Sequence, residues 1–250
     1  MDADCAQAPE ALSVPAVPAH LAQMFLAIVA AVAALFVSAQ SRLAGETNTA
    51  RLRGTLAGAL VVATWLALPG ALAARGALSD FSRLPPPFAL MMLALVAATT
   101  ALAFSPLGTR LVERAPLHAL IGYQVFRIPL EFWLHAMHSH GAIPEQMTWS
   151  GQNYDVFAGI GALVVASLAW RKRASRRQIV VWNWLGFALL LNVGRIAATS
   201  LPTPIRMFPG SPLVIPATFP YVWLPAFLVQ AALFGHVLVW RWLARNPKSL

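Results

Sequence analysis

The sequence predicts an all-α fold, a polytopic membrane protein with seven transmembrane helices, and three observations carry this prediction. The chain of 250 residues is 58% hydrophobic and only 11% charged, whereas soluble domains carry about 25% charged residues. Seven apolar stretches of near-spanning length follow one another along the chain. The basic residues concentrate in alternate loops. This composition excludes an ordinary soluble enzyme and a disordered chain, and the single cysteine, Cys5, excludes an internal disulfide.

The predicted spans follow in order behind an acidic N-terminal tail, residues 1–20. Because this tail contains three acids and no lysine or arginine, it lacks the basic start of a signal peptide, and we expect the first apolar stretch to be retained. At about 1.5 Å per residue, each stretch is near the length that crosses about 30 Å of hydrocarbon. A short tail, 244–250, follows the last span. The predicted spans are 21–38, 55–74, 88–104, 117–138, 154–170, 179–198 and 221–243.

The distribution of the net charge of +9 predicts the orientation. An excess of lysine and arginine marks the cytoplasmic loops of a membrane protein, so the pattern predicts an outer N-terminus and a cytoplasmic C-terminus. A basic chain can also bind nucleic acid, but charges sorted by loop indicate topology, and the lipid bilayer is the expected partner. Thirteen of the eighteen basic residues lie on the predicted cytoplasmic side: Arg42, Arg51, Arg53, Arg110, Arg114, Arg171, Lys172, Arg173, Arg176, Arg177, Arg241, Arg245 and Lys248.

The fourth predicted span carries a stripe of polar residues on one helical face. These residues recur at spacings of three and four, which is the period of a single face. Charged groups inside a bilayer cost at least about 2.5–3.5 kcal/mol each, so the stripe must face the bundle interior or a water-filled cavity. We expect Arg127 and Glu131 to pair along the helix, and Pro129 to kink it between them. The stripe consists of Gln124, Arg127, Glu131, His135 and His138.

Polar residues at the outer ends of other spans are expected to complete this site. Asn153 and Asp155 open the fifth span, and Asn192 and Arg195 lie on one face of the sixth. We therefore predict one buried cluster that opens outward, with Arg195 as its second cation and Asp155 as its second carboxylate. The proline-rich segment 200–220 is too apolar for a solvated linker. We interpret it as a folded lid over the outer mouth of the bundle, with a loop that lies in the lipid interface as the alternative.

Three functions remain open for such a cluster. The first is a pocket that binds a small polar or anionic ligand or handles protons, since intramembrane ionisable residues commonly serve such roles. The second is an intramembrane enzyme that uses a divalent metal on Glu131, His135 and His138, the one cofactor site the sequence suggests, because carboxylate and imidazole groups are zinc ligands. The third is a structural or assembly subunit whose buried charges pin helices together.

Two further cofactors find little support in the chain. A retinal pigment needs a lysine inside a span, and Lys172 and Lys248 are both predicted to be cytoplasmic. Haem needs two facing histidines, and His118 and His236 are interpreted as interfacial residues instead.

Residues 126–163 carry the blocks RIPLE, IPEQMT and GQNYD. This pattern resembles a family of bacterial integral membrane proteins of unassigned function, marked by RIP-x-E, IPE-x-MT and G-x-N-x-D. The later stretches LLLNVGRI and FPYVWLPAFLVQAALFGH are similar to the last two spans of that family. The resemblance covers about the C-terminal half of the chain, implies a multi-pass protein of the bacterial inner membrane, and singles out the same polar residues.

Overall fold

The structure, a computed structural model, describes residues 15–247. Every regular element within this range is helical, which confirms the predicted all-α class. The predicted tails 1–20 and 244–250 lie partly outside the described residues. The α-helices are α1 (Ala19–Ala44), α2 (Asn48–Ala74), α3 (Pro87–Phe104), α4 (Pro106–Arg114), α5 (Leu117–Gly122), α6 (Arg127–Ser139), α7 (Val156–Trp170), α8 (Arg176–Ser200) and α9 (Val229–Arg245).

Five helical segments of the described range are long and apolar enough to cross a membrane: α1, α2, α3, α8, and α9 together with the π-helical turn Leu224–Leu228 that precedes it. By length and composition these segments make the chain a multi-pass membrane protein. The two other predicted spans have a different form. The fifth, α7, is apolar but has only 15 residues, about 22 Å. The fourth is divided into α5, a 3-10 turn at Tyr123–Phe126, and α6.

The division of the fourth predicted span has a local cause in Pro129. A proline inside a helix removes one hydrogen bond, and its ring clashes with the carbonyl four residues earlier, here that of Val125. Val125 lies in the 3-10 turn Tyr123–Phe126, where the amide of Arg127 bonds to the carbonyl of Gln124. The kink that the sequence predicts is thus a tightened turn directly before Arg127.

Helix α9 is the centre of the bundle. In the most apolar part of this last segment 72% of the residues are buried, whereas the share is 33% or less in the other four long segments. It packs against α3, α4, α5 and α8. Gln230 and His236 of α9 are therefore buried, and Gln230 accepts a hydrogen bond from the Thr99 hydroxyl at 2.9 Å.

One end of the bundle gathers arginines that the sequence assigns to the cytoplasmic side. Their guanidinium groups bind carbonyl or carboxylate oxygens at or near the ends of neighbouring helices. The C-terminal ends of α1, α3, α4 and α9 and the start of α8 therefore lie at the same end of the bundle. The pairs are Arg114 with Leu43, Arg176 with Leu243, Arg241 with Ala103, and Arg245 with Glu113.

The proline-rich segment 200–220 is folded against the opposite end of the bundle, as predicted. Its backbone is anchored where the amide of Leu213 donates to the carbonyl of Ser200 at 2.8 Å. Leu213 and Ile215 are each 1% exposed and belong to the main hydrophobic core, together with Trp133 of α6. Apolar packing, rather than solvation, therefore holds this segment.

Candidate functional site

Arg127, the first residue of α6, is the centre of a buried polar network and is 1% exposed. Its Nε donates to Asp155 Oδ2 at 2.6 Å, and its Nη2 donates to Asp155 Oδ1 and to the carbonyl of Gly186. Its Nη1 lies 3.2 Å from Gln124 Oε1 and 3.0 Å from His236 Nε2. A guanidinium has five N–H donors. Every one of them therefore has a protein acceptor.

The carboxylate that pairs with Arg127 is Asp155, so the expected pairing of Arg127 with Glu131 is wrong. An arginine four residues before a glutamate is the weaker order for a helical ion pair, whereas Asp155 offers both oxygens to the planar fork. Gly159 permits the approach of the two helices. A Cβ at that position would lie 3.3 Å from Arg127 Cβ and 2.8 Å from Ile128 Cγ1.

His236 and Asn183 complete the network, and neither is predicted from the sequence as a residue of this site. Because a guanidinium only donates, His236 Nε2 must accept from Arg127, and its Nδ1 then carries the proton. Nδ1 lies 2.8 Å from Asn183 Oδ1, and Asn183 Nδ2 donates to the His236 carbonyl at 3.1 Å. His236 is thus a buried neutral imidazole instead of the expected interfacial residue. We call Arg127, Asp155, Gln124, His236 and Asn183 the arginine network.

Glu131 lies one turn beyond Arg127 and is also 1% exposed. Both of its carboxyl oxygens accept from Asn153 Nδ2, at 2.9 and 3.0 Å. The same Asn153 nitrogen also donates to the carbonyl of Met147 at 3.0 Å, so only one N–H is left for the carboxyl group. Within residues 15–247 no cation lies within 4 Å of this carboxyl group. Glu131 is therefore a buried acid with few hydrogen-bond partners.

The predicted metal ligands Glu131, His135 and His138 are not brought to one site. The His135 ring stacks on Trp149, with centroids 4.4 Å apart, and His138 Nδ1 lies 3.0 Å from the carbonyl of Ile143. The described part of the chain holds no group of three or more His, Cys, Asp or Glu residues that could bind a metal. Among the described residues, the buried Nδ1 of His135 has no hydrogen-bond partner.

The predicted residues of the sixth span form a separate, exposed group. Arg195 Nη2 donates to Asn192 Oδ1 at 2.9 Å and to Gln152 Oε1 at 3.1 Å. Asn192 Nδ2 in turn donates to the carbonyl of Gln152 at 2.8 Å. Arg195 contacts neither Asp155 nor Glu131 by hydrogen bond, so it is not the second cation of the buried cluster. The single predicted site is two sites, one closed and one on the surface.

A cavity of about 650 Å³ lies at the end of the bundle that carries the proline-rich segment. It is lined by Pro15, by His138 and the loop after α6, and by residues 209–212 and Val214. His138 and Glu145 are its titratable lining residues, while Glu131 and Arg127 do not line it. Along α6, His135 stands between this cavity and Glu131.

Comparison with known proteins gives one match. A family model described as Domain of unknown function (DUF8737) matches residues 84–244. No curated protein and no solved structure matches the chain. The matched range runs from the segment before α3 to the end of α9 and contains the arginine network, Glu131 and Arg195. Since the match covers more than half of the sequence, the chain belongs to the family of proteins with this domain of unknown function, DUF8737.

Proposed function

We propose that this chain is a seven-span protein of the bacterial cytoplasmic membrane, with its N-terminus outside and its C-terminus in the cytoplasm. The five long apolar segments support five of the spans, with α7 and the α5–α6 unit as the other two. The arginines gathered at one end of the bundle support the orientation, because basic residues favour the cytoplasmic side. The resemblance to bacterial integral membrane proteins supports the location.

The short α7 fits this topology because a folded polar segment precedes it. Residues 145–155 run from a 3-10 turn to the start of α7, and Met147, Thr148, Asn153 and Asp155 are all buried. Irregular backbone at membrane depth is tolerated only where protein surrounds it or it lines a water-filled cavity. In our proposal this segment fills the outer part of the fifth crossing, inside the bundle.

The proposed activity is reversible binding of a proton from the outer side, with Glu131 as the acceptor. The observation that carries this proposal is the poor solvation of the Glu131 carboxyl group: it is 1% exposed and receives one amide N–H. A buried charged carboxylate needs a counter-charge or several donors. The proton itself supplies the missing compensation at Glu131.

The hydrogen bonds of the arginine network argue against an anionic ligand at Arg127. A carboxylate or phosphate ligand would need free N–H donors, and Arg127 already gives all of its donors to protein acceptors. Its charge is balanced by Asp155. Ligand binding and proton handling are the two forms of the first function that the sequence leaves open, and proton handling is therefore the better supported of these two.

A series of titratable groups leads from the outer cavity toward Glu131. His138 lines the cavity, His135 lies three residues before it on α6, and Glu131 lies four residues before His135. These spacings correspond to rises of about 4.5 and 6 Å along the helix, and histidine changes charge near neutral pH. The charged and titratable groups around Glu131 are Arg127 and His135 on its own helix and Asp155 before α7.

Infrared difference spectroscopy of the full chain in lipid nanodiscs tests this proposal. A protonated carboxyl group has its own carbonyl stretching band, so we expect a pH-dependent band in the wild type that Glu131→Gln removes. Glu145→Gln is the matched control, because Glu145 is exposed in the outer loop and its replacement should leave the buried band in place. A spectrum of Glu131→Gln identical to that of the wild type would overturn the proposal.

A second function, helix pinning, is favoured by the complete use of Arg127 donors. A fully bonded buried ion pair fixes how α6, α7, α8 and α9 meet, and such pairs can specify a packing arrangement. If pinning is the whole role of the cluster, the carboxyl band of Glu131 should not change with pH, while replacements within the arginine network should still lower stability.

A further inference from the structure

The exposed face of α8 ends in a charged residue. Val181, Trp184, Ala188 and Leu191 are all exposed and recur at spacings of three and four, so they form one apolar stripe along the helix. Arg195 is the next residue of the same stripe and is exposed as well. An apolar stripe on a helix long enough to span a membrane faces lipid, and Arg195 stands at its end.

The length of α8 places Arg195 at the level of lipid headgroups. The helix begins at Arg176 in the basic segment 171–177. From Arg177 to Arg195 the rise is about 27 Å, close to the hydrocarbon thickness of about 30 Å. When the basic segment lies at one membrane surface, Arg195 therefore reaches the opposite one.

The contacts of Arg195 orient its guanidinium but leave its charge unbalanced. Nε and Nη2 donate to Asn192 Oδ1, and Nη2 also donates to Gln152 Oε1. These acceptors are neutral amide oxygens. In the described part of the chain no carboxylate lies within 4 Å of Arg195 and its Nη1 has no acceptor. Beside it, a Cβ built on Gly194 meets no described atom within 4 Å, so the surface there is open.

We propose that Arg195, held by Asn192 and Gln152, binds a phosphate group at the membrane surface opposite the basic segment 171–177. Nη1 supplies the free donors, and a guanidinium is well suited to phosphate oxygens. The phosphate belongs either to the headgroup of an anionic phospholipid or to a dissolved ion. This site is separate from the Glu131 carboxyl group and does not depend on its protonation.

Photolabelling of the full chain in nanodiscs tests the site. Phosphatidylglycerol and phosphatidylcholine analogues with a photoactivatable headgroup are compared, and labelled peptides from the end of α8 are quantified by mass spectrometry. Because one basic residue near a membrane surface favours an anionic lipid about fivefold, we expect about that preference for phosphatidylglycerol in the wild type. Arg195→Gln and Arg195→Met should both abolish it, and neither leaves a buried charge unpaired.

Arg83→Gln is the matched control, because Arg83 is an exposed arginine that is already paired with Asp80, and it should leave the preference unchanged. Inorganic phosphate is added in a parallel experiment. Unchanged labelling then identifies the lipid headgroup as the source of the phosphate, and displacement of the label by dissolved phosphate identifies the free ion. A preference that survives in both Arg195 variants, or its absence from the wild type, would refute the site.

Discussion

The carboxylate of Asp155 accepts hydrogen bonds from both Nε and Nη2 of Arg127, 28 residues earlier in the chain. This ion pair joins the first residue of α6 to the residue directly before α7. Both side chains are buried, at 1% and 7% exposure. The geometry therefore makes each of them the counter-charge that permits burial of the other.

Replacement of Asp155 by asparagine should strongly destabilise the protein. The change leaves the Arg127 charge buried and unpaired, a situation that costs about 3–5 kcal/mol. The measurement is the free energy of unfolding in detergent. Asp80→Asn is the control, because the exposed pair of Asp80 with Arg83 should contribute only about 0–1 kcal/mol. Equal losses in the two variants would contradict a special role for the buried pair.

A double-mutant cycle tests the hydrogen bond between His236 and Asn183. His236→Leu removes the acceptor of Arg127 Nη1 and the donor to Asn183, and each buried group left without a partner costs about 1–3 kcal/mol. Asn183→Leu alone leaves His236 Nδ1 without its acceptor. The double variant should be more stable than the sum of the two single losses predicts, because it removes both members of that hydrogen bond. Strict additivity of the unfolding energies would show that the bond is not formed.

The sequence predicts the helical fold and the polar stripe well because both depend on local regularities. Hydropathy marks the long apolar segments, and the period of α6 places Arg127 and Glu131 on one face. The sequence predicts the break before α6 only as a kink at Pro129, because a proline in the pattern does not show that the turn before it tightens to a 3-10 helix. Helix α4 was not predicted, although Ser105 followed by Pro106 is a helix-start signal.

The partners within the site could not be predicted from spacing alone. Whether Arg127 binds Glu131 or Asp155 depends on how closely α6 and α7 approach at Gly159, a tertiary property. His236 lies near the predicted end of the last span, and only the central position of α9 shows that it is buried. Arg195 follows Asn192 by three residues, the same spacing that Gln124 and Arg127 show in the interior. The face of α8 that carries Arg195 is nevertheless exposed.

Removal of divalent metals should leave the protein intact. The predicted ligands Glu131, His135 and His138 each contact a different group, namely Asn153, Trp149 and Ile143. Dialysis against a chelator should therefore leave the melting temperature in detergent unchanged, and His138→Ala should leave the metal content unchanged. A chelator-induced fall in the melting temperature that zinc reverses, and that His138→Ala also causes, would restore the metal hypothesis.

Two helical glycines should respond oppositely to replacement by alanine. At Gly159 of α7 a Cβ would lie 3.0 Å from the backbone nitrogen of Ile128 and 2.8 Å from its Cγ1. Since a backbone atom cannot move aside cheaply, overpacking should cost about 1–3 kcal/mol. At Gly194 of α8 no described atom lies within 4 Å of the new Cβ, and the higher helix propensity of alanine should stabilise the protein by up to about 1 kcal/mol.

Gly159→Ala should also weaken the ion pair of Arg127 with Asp155, because it separates α6 from α7. The measurement is the free energy of unfolding of both variants, alone and combined with Asp155→Asn. The destabilisation by Gly159→Ala should be smaller when Asp155→Asn has already broken the ion pair. The effect of Gly194→Ala on the free energy of unfolding should be the same in both backgrounds.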